Sequence, residues 1–69
     1  MEEVKQQIQI DTVAGREVLD ADRYLIQDGN YVFLNGNTVV RTVPIEDIVE
    51  EYDEAGEQTK GIVTIYSRT

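Results

Sequence analysis

The stretch DGNYVFLNGNTVV, residues 28–40, constrains the fold more than any other part of this chain. Two hairpin-turn dipeptides, Asp28-Gly29 and Asn35-Gly36, bracket the apolar run 31–34. Asp-Gly and Asn-Gly favour two-residue hairpin loops because such loops need positive φ angles. The sequence therefore predicts a tight antiparallel meander whose short middle strand is apolar on both faces.

A mirror-image turn at Asp28-Gly29 aligns residues 23–27 with residues 30–34, and the second turn brings residues 38–43 back alongside them. The expected pairs are Gln27 with Asn30, Ile26 with Tyr31, Leu25 with Val32, and Tyr24 with Phe33. One face is predicted to collect Tyr24, Ile26, Tyr31, Phe33 and Val40. The opposite face is predicted to collect Leu25, Val32, Leu34, Val39 and Val43. A sheet with one side in water is not apolar on both faces, so the chain itself or another molecule is expected to cover the second face.

Two other segments are the available covers. In residues 4–12 the even positions carry Val4, Ile8, Ile10 and Thr12, whereas the odd positions are polar, which indicates a strand with one wet face. Residues 61–66 are predicted to form a C-terminal strand. The predicted fold class is mainly β (β or α+β), a small and strongly bent antiparallel meander approaching an SH3-like barrel.

Residues 44–57, PIEDIVEEYDEAGE, fit two structures. Ile45, Ile48, Val49 and Tyr52 have helical spacing, and Pro44 suits the first turn of a helix. A single turn over 44–47, a strand over 48–53 and a hairpin loop into the last strand also fit. The prediction is one short helix or helical turn around 44–55.

Size and composition limit the chemistry. The 69 residues predict one small acidic β-rich domain, 1–69, that buries only about 60% of its unfolded surface. Cysteine and histidine are absent, which removes disulfides, thiolate zinc sites and the usual base of a serine or cysteine nucleophile. Asp20, Asp22 and Asp28 are too few for a calcium loop, which needs six or more oxygen ligands. The sequence predicts no enzyme, no catalytic residue, no metal and no cofactor.

The charge of the chain disfavours some partners. Fourteen acidic and six basic residues give a net charge of -8, which would repel nucleic-acid phosphates and anionic membranes. No apolar stretch approaches the roughly 20 residues of a membrane helix. The N-terminus does not resemble a secretory signal. We therefore expect no direct nucleic-acid binding and no membrane association, with the cytoplasm as the default location.

Acidic side chains are concentrated in residues 46–57, and we call these residues the acidic segment. Its seven carboxylates are Glu46, Asp47, Glu50, Glu51, Asp53, Glu54 and Glu57. On a helix they would form rows with one charge per roughly 2.5 to 3 Å, close to the charge spacing of duplex DNA. Such a row could imitate phosphates, or it could be a solvated face or an adaptation to high salt.

Two functions follow as hypotheses. The first is a non-catalytic protein-interaction module or small adaptor that acts through an apolar sheet face (Leu25, Val32, Leu34 and Val39) or a sheet edge, as a homodimer or a hetero-complex. The alternative is an acidic inhibitor of phage or mobile-element type that mimics DNA and binds a nucleic-acid-binding protein through the acidic segment.

Overall fold

The computed structural model describes residues 4–68, with side chains described through residue 67. Its strands are β1 Val4–Thr12, β2 Gly15–Leu19, β3 Arg23–Gln27, β4 Asn30–Asn35, β5 Thr38–Pro44, β6 Glu51–Tyr52, β7 Gln58–Lys60 and β8 Val63–Arg68. They form three antiparallel sheets: a first sheet of order β2-β1-β8, the meander β3-β4-β5, and the hairpin β6-β7. The predicted mainly-β class is confirmed. No closed barrel forms within residues 4–68, and the SH3-like comparison stays a prediction.

The first hairpin of the meander forms as predicted. Asp28 and Gly29 have φ angles of 52° and 77°, the two positive values of a mirror-image type I′ turn. All four predicted cross-strand pairs of β3 and β4 are present, from Gln27 opposite Asn30 to Tyr24 opposite Phe33. The positive φ at Asp28 is tolerated because aspartate is among the few non-glycine residues that enter this region.

The second hairpin differs from the prediction. Asn35 pairs with Thr38, so Gly36 and Asn37 form the loop. A β-bulge follows, because the register shifts between Phe33 and Leu34. One extra residue reverses the alternation of faces beyond it. Val43 consequently lies opposite Tyr31 on the inner face, and Val40 is the extra residue of the bulge. The predicted face of Val43 is therefore wrong, and Val40 has no cross-strand partner that tests its predicted face.

The core lies between the first sheet and the inner face of the meander. The buried apolar side chains are Ile8, Ile10, Ala21, Phe33 and Val43. Leu19, Tyr31, Ile48 and Ile62 pack around them and are partly buried. The even positions Ile8 and Ile10 thus cover the meander, as the alternation of β1 predicts. Only the inner face of the meander is covered, because the buried side chains of both sheets point into one shared core.

A helix over residues 44–57 is wrong. Only Ile45–Asp47 form a helical turn, of the 3₁₀ type, and Ile48 then makes a bridge to Thr12. The backbone of the next residues is engaged by β1: Val13 N–H donates to Asp47 O, and Val49 N–H donates to Asp11 O. A helix would break these contacts and would place like charges four residues apart. The alternative with a turn, a strand and a hairpin loop is closer, although the loop leads into β7 and not into the last strand.

Asp11 is a buried acidic residue that links different parts of the fold. Only 6% of it is exposed, which contradicts the expectation that the odd positions of β1 face water. Its Oδ1 accepts a hydrogen bond from Arg16 Nε at 2.8 Å, and its Oδ2 accepts one from the Gly61 N–H at 3.0 Å. Its own N–H donates to Gly61 O at 3.2 Å. The Arg16 hydrogen bond, followed by the Gly61 N–H, holds the pKa of Asp11 below its usual value.

Asp11→Asn tests this link through the pH dependence of stability. Because the pKa of Asp11 is lower in the folded chain than the unfolded value of about 3.9, its contribution is present above that value. The contribution is lost as the pH falls through the folded pKa. Urea unfolding should show the variant less stable at about pH 7, with the difference narrowing as the pH falls below about 3.9. Asp28→Asn, in an exposed turn, is the control. A constant gap between wild type and Asp11→Asn across this range would contradict the assignment.

Gly61→Ala tests the other side of the link. Gly61 has a φ of 142°, and a Cβ at this position would overlap the side-chain amide nitrogen of Gln58. We expect a loss of about 1 to 3 kcal/mol in the free energy of unfolding from the backbone strain alone. The double variant Gln58→Ala/Gly61→Ala removes the overlap, so it should recover only part of the loss. Wild-type stability in Gly61→Ala would overturn this reading.

Candidate interaction surfaces

The predicted apolar residues lie together on the side of the meander that faces away from the core. Leu25 pairs with Val32 and Leu34 pairs with Val39, which places all four on one face. Leu25 is 44% exposed and Val39 is 54% exposed, whereas Val32 and Leu34 are half-buried. We call these four residues the outer face. No segment among residues 4–67 covers it.

Polar residues border the outer face. The register puts Arg23 on the same side as Leu34, Thr42 on the same side as Val32, and Gln27 beside Asn30. An apolar centre with a polar surround is the usual anatomy of a protein interface.

The free edge of the meander at β3 is a second exposed feature. Every residue of β3 is exposed, including Tyr24 at 46% and Ile26 at 61%. Its register with β4 is regular over five pairs, and its other edge pairs with no strand among residues 4–68. Edge strands are usually protected by charges, prolines or bulges. The sequence predicts a contact at a sheet edge without specifying the strand. The strand order leaves β3 and β5 as the edges of the meander, and of these two only β3 has a regular register.

The acidic segment does not form the charged rows expected of a helix. Glu46 and Asp47 lie in the 3₁₀ turn, and the other members lie on or beside the hairpin β6-β7. Asp53 Oδ1 accepts the N–H groups of Ala55 and Glu57, and Glu51 pairs with Lys60 at 3.5 Å. The helical rows, and the DNA-like spacing calculated from them, are therefore wrong. Within residues 4–67 six members make no salt bridge: Glu46, Asp47, Glu50, Asp53, Glu54 and Glu57.

One groove of about 400 Å³ lies beside Asp11, and it is lined by Asp11, Thr12, Gly15, Arg16, Val49 and Lys60. Both of its cations are already paired, Arg16 with Asp11 and Lys60 with Glu51. Both cations of the groove are therefore neutralised by acidic side chains of the same chain. Across the described part of the chain, no group of three or more acidic side chains is arranged to hold a metal ion.

No helix within residues 4–68 has the length and apolar character needed to cross a lipid bilayer.

Comparisons with protein-family models, with curated proteins and with solved structures gave no match. The outer face and the edge at β3 are two exposed features of the meander.

Proposed function

We propose that this chain is a non-catalytic protein-interaction module that binds its partner through the outer face of the meander. The observation that carries the proposal is the one-sided core: Phe33 and Val43 are buried on the inner face, while Leu25 and Val39 are about half exposed on the other. Exposed apolar patches with polar borders mark contacts more often than they serve the fold.

The chemistry available elsewhere favours binding over catalysis. The chain has no cysteine or histidine, and the groove at Asp11 has its charges neutralised by internal pairs. Completing the burial of Leu25 and Val39 would contribute about 1 kcal/mol each, since full burial of such a side chain contributes about 1.5 to 3 kcal/mol. A contact on this face is thus driven by apolar burial and should resist added salt.

The double variant Leu25→Thr/Val39→Thr tests the proposal, because threonine keeps the strand preference while it removes apolar area. We expect an unchanged far-ultraviolet circular dichroism spectrum, reduced binding of an apolar fluorescent dye, and loss of the proteins that wild type retains in affinity capture at high salt. Val18→Thr is the matched control, since Val18 is 52% exposed on the first sheet. If the double variant captures the same proteins as wild type, the outer face is not the binding surface.

The acidic segment supports a second candidate, an inhibitor that imitates DNA. Six of its seven carboxylates make no salt bridge within residues 4–67. Charge reversal at Glu46, Glu50 and Glu54 should abolish binding to a basic partner, and wild-type affinity should fall steeply with added salt. The glutamine variants at the same three positions separate the loss of charge from the change of shape. Partner binding that survives the reversal would eliminate this candidate.

A further inference from the structure

We propose that the partner is a second copy of this chain, paired antiparallel along β3, so that two meanders form one continuous six-stranded sheet. This inference rests on the proposed function, because it identifies the partner of the meander as a second copy of the chain. In the pair, the outer faces of the two copies would form one continuous surface. Four features carry it: the direction of the free backbone groups of β3, the blocked state of the other meander edge, the exposed area, and the distribution of charge.

The turn at Asp28-Gly29 fixes which backbone groups point to the free edge. In a two-residue hairpin the pair next to the turn, here Gln27 and Asn30, exchanges both of its hydrogen bonds. Alternation then directs the N–H and C=O groups of Tyr24 and Ile26 away from β4. Two copies that place Tyr24 opposite Ile26 can exchange four hydrogen bonds. Leu25 then lies opposite Leu25 of the second copy on the two-fold axis.

Two other edges are less suitable for such pairing. β5 carries the bulge at Val40 and ends at Pro44, both of which interrupt a ladder of hydrogen bonds. β2 begins with Gly15 and carries the charged residues Arg16 and Glu17. β3 has a regular register, no proline, and one charged residue at its first position. Pairing along β3 is therefore favoured over pairing along β5 or β2.

The exposed area indicates that the folded chain is incomplete as a compact body. Its exposed surface is 4943 Å², whereas a compact monomer of this mass is expected to expose about 4,400 Å². The radius of gyration is 13.0 Å, against roughly 11 Å for a globular chain of this length. A surplus of roughly 500 Å² is more than half of the about 800 Å² that each partner contributes to a standard interface.

The charge is distributed so that two meanders can approach. Residues 23–44 contain Arg23, Arg41 and Asp28 as their only charged side chains, which gives +1 from two bases and one acid. The remainder of the chain must then carry -9 to reach the total of -8. The proposed register brings Asp22 opposite Asp28 of the second copy at each end of the pairing, and the other acidic residues repel from further away; dissolved salt screens both repulsions. Added salt should strengthen the dimer, which is opposite to the behaviour of a contact with a basic partner.

A charge swap at Leu25 tests the pairing. Leu25→Asp and Leu25→Lys each place two like charges opposite each other at the two-fold axis, and position 25 is exposed enough to accept a polar side chain. Sedimentation equilibrium should show wild type as a dimer, and the dissociation constant of each variant alone should rise at least about tenfold. An equimolar mixture of the two variants should recover the dimer. Recovery is expected only if position 25 meets itself across the interface.

Further variants keep the test decisive. Ile26→Pro removes an N–H group that points to the free edge. It leaves the hydrogen bonds between β3 and β4 in place, so this variant should also be a monomer. The same charge swap at Val18 should leave the dimer intact. A wild-type dimer that persists in Ile26→Pro but is lost in Leu25→Thr/Val39→Thr would mean that two outer faces stack, and it would overturn the edge pairing.

The outcomes separate this inference from the function proposed above. If wild type is a monomer at all concentrations and salt levels, yet dye binding and partner capture still depend on Leu25 and Val39, the second copy is wrong and the interaction module stands. If neither assembly nor capture depends on these residues, both fail. A dimer that the mixture of Leu25→Asp and Leu25→Lys restores supports both.

Discussion

The carboxylate of Asp11 is the contact on which the arrangement of the sheets depends. It receives a hydrogen bond from Arg16 on β2 and another from the backbone of Gly61, fifty residues further along the chain. The backbone of the same residue accepts the N–H of Val49. One residue of β1 therefore joins the first sheet to both ends of the β6-β7 hairpin. A chain with five buried apolar side chains has few other ways to fix these segments.

This polar link leaves the meander held mainly through one face. Phe33 and Val43 pack on Ile8 and Ile10, and the Arg41–Glu17 salt bridge at 3.2 Å adds a contact between β5 and β2. Both residues of that salt bridge are partly exposed, so its contribution is small. On the other face of the meander Leu25 and Val39 remain about half exposed. The proposed partner would cover this apolar face.

Features of the fold that depend on residues close in sequence can be predicted from the sequence, whereas features that depend on residues far apart in sequence cannot. The Asp28-Gly29 hairpin and the alternation of Ile8 and Ile10 are set by neighbours in sequence, and the sequence predicts both correctly. The bulge at Val40 adds one residue without a local signal, so the face of Val43 is predicted wrongly. The burial of Asp11 depends on its contacts with Arg16 on β2 and with Gly61. Hydrophobic periodicity along the sequence does not predict such pairs. For residues 44–57 the pattern allows a helix, but hydrogen bonds to β1 decide otherwise.

The two edges of the meander also determine how far an assembly through it can grow. A sheet that adds copies at both edges extends without limit, which is the route to fibres. Here only β3 is regular and nearly uncharged, whereas β5 is interrupted by its bulge and by Pro44. Pairing along β3 uses the same strand of each copy, so one two-fold contact occupies both β3 edges and leaves none for a third copy. The -9 carried outside residues 23–44 then repels further copies from the exposed ends. An open edge on one side and a blocked edge on the other thus favour a finite pair over a continuous sheet.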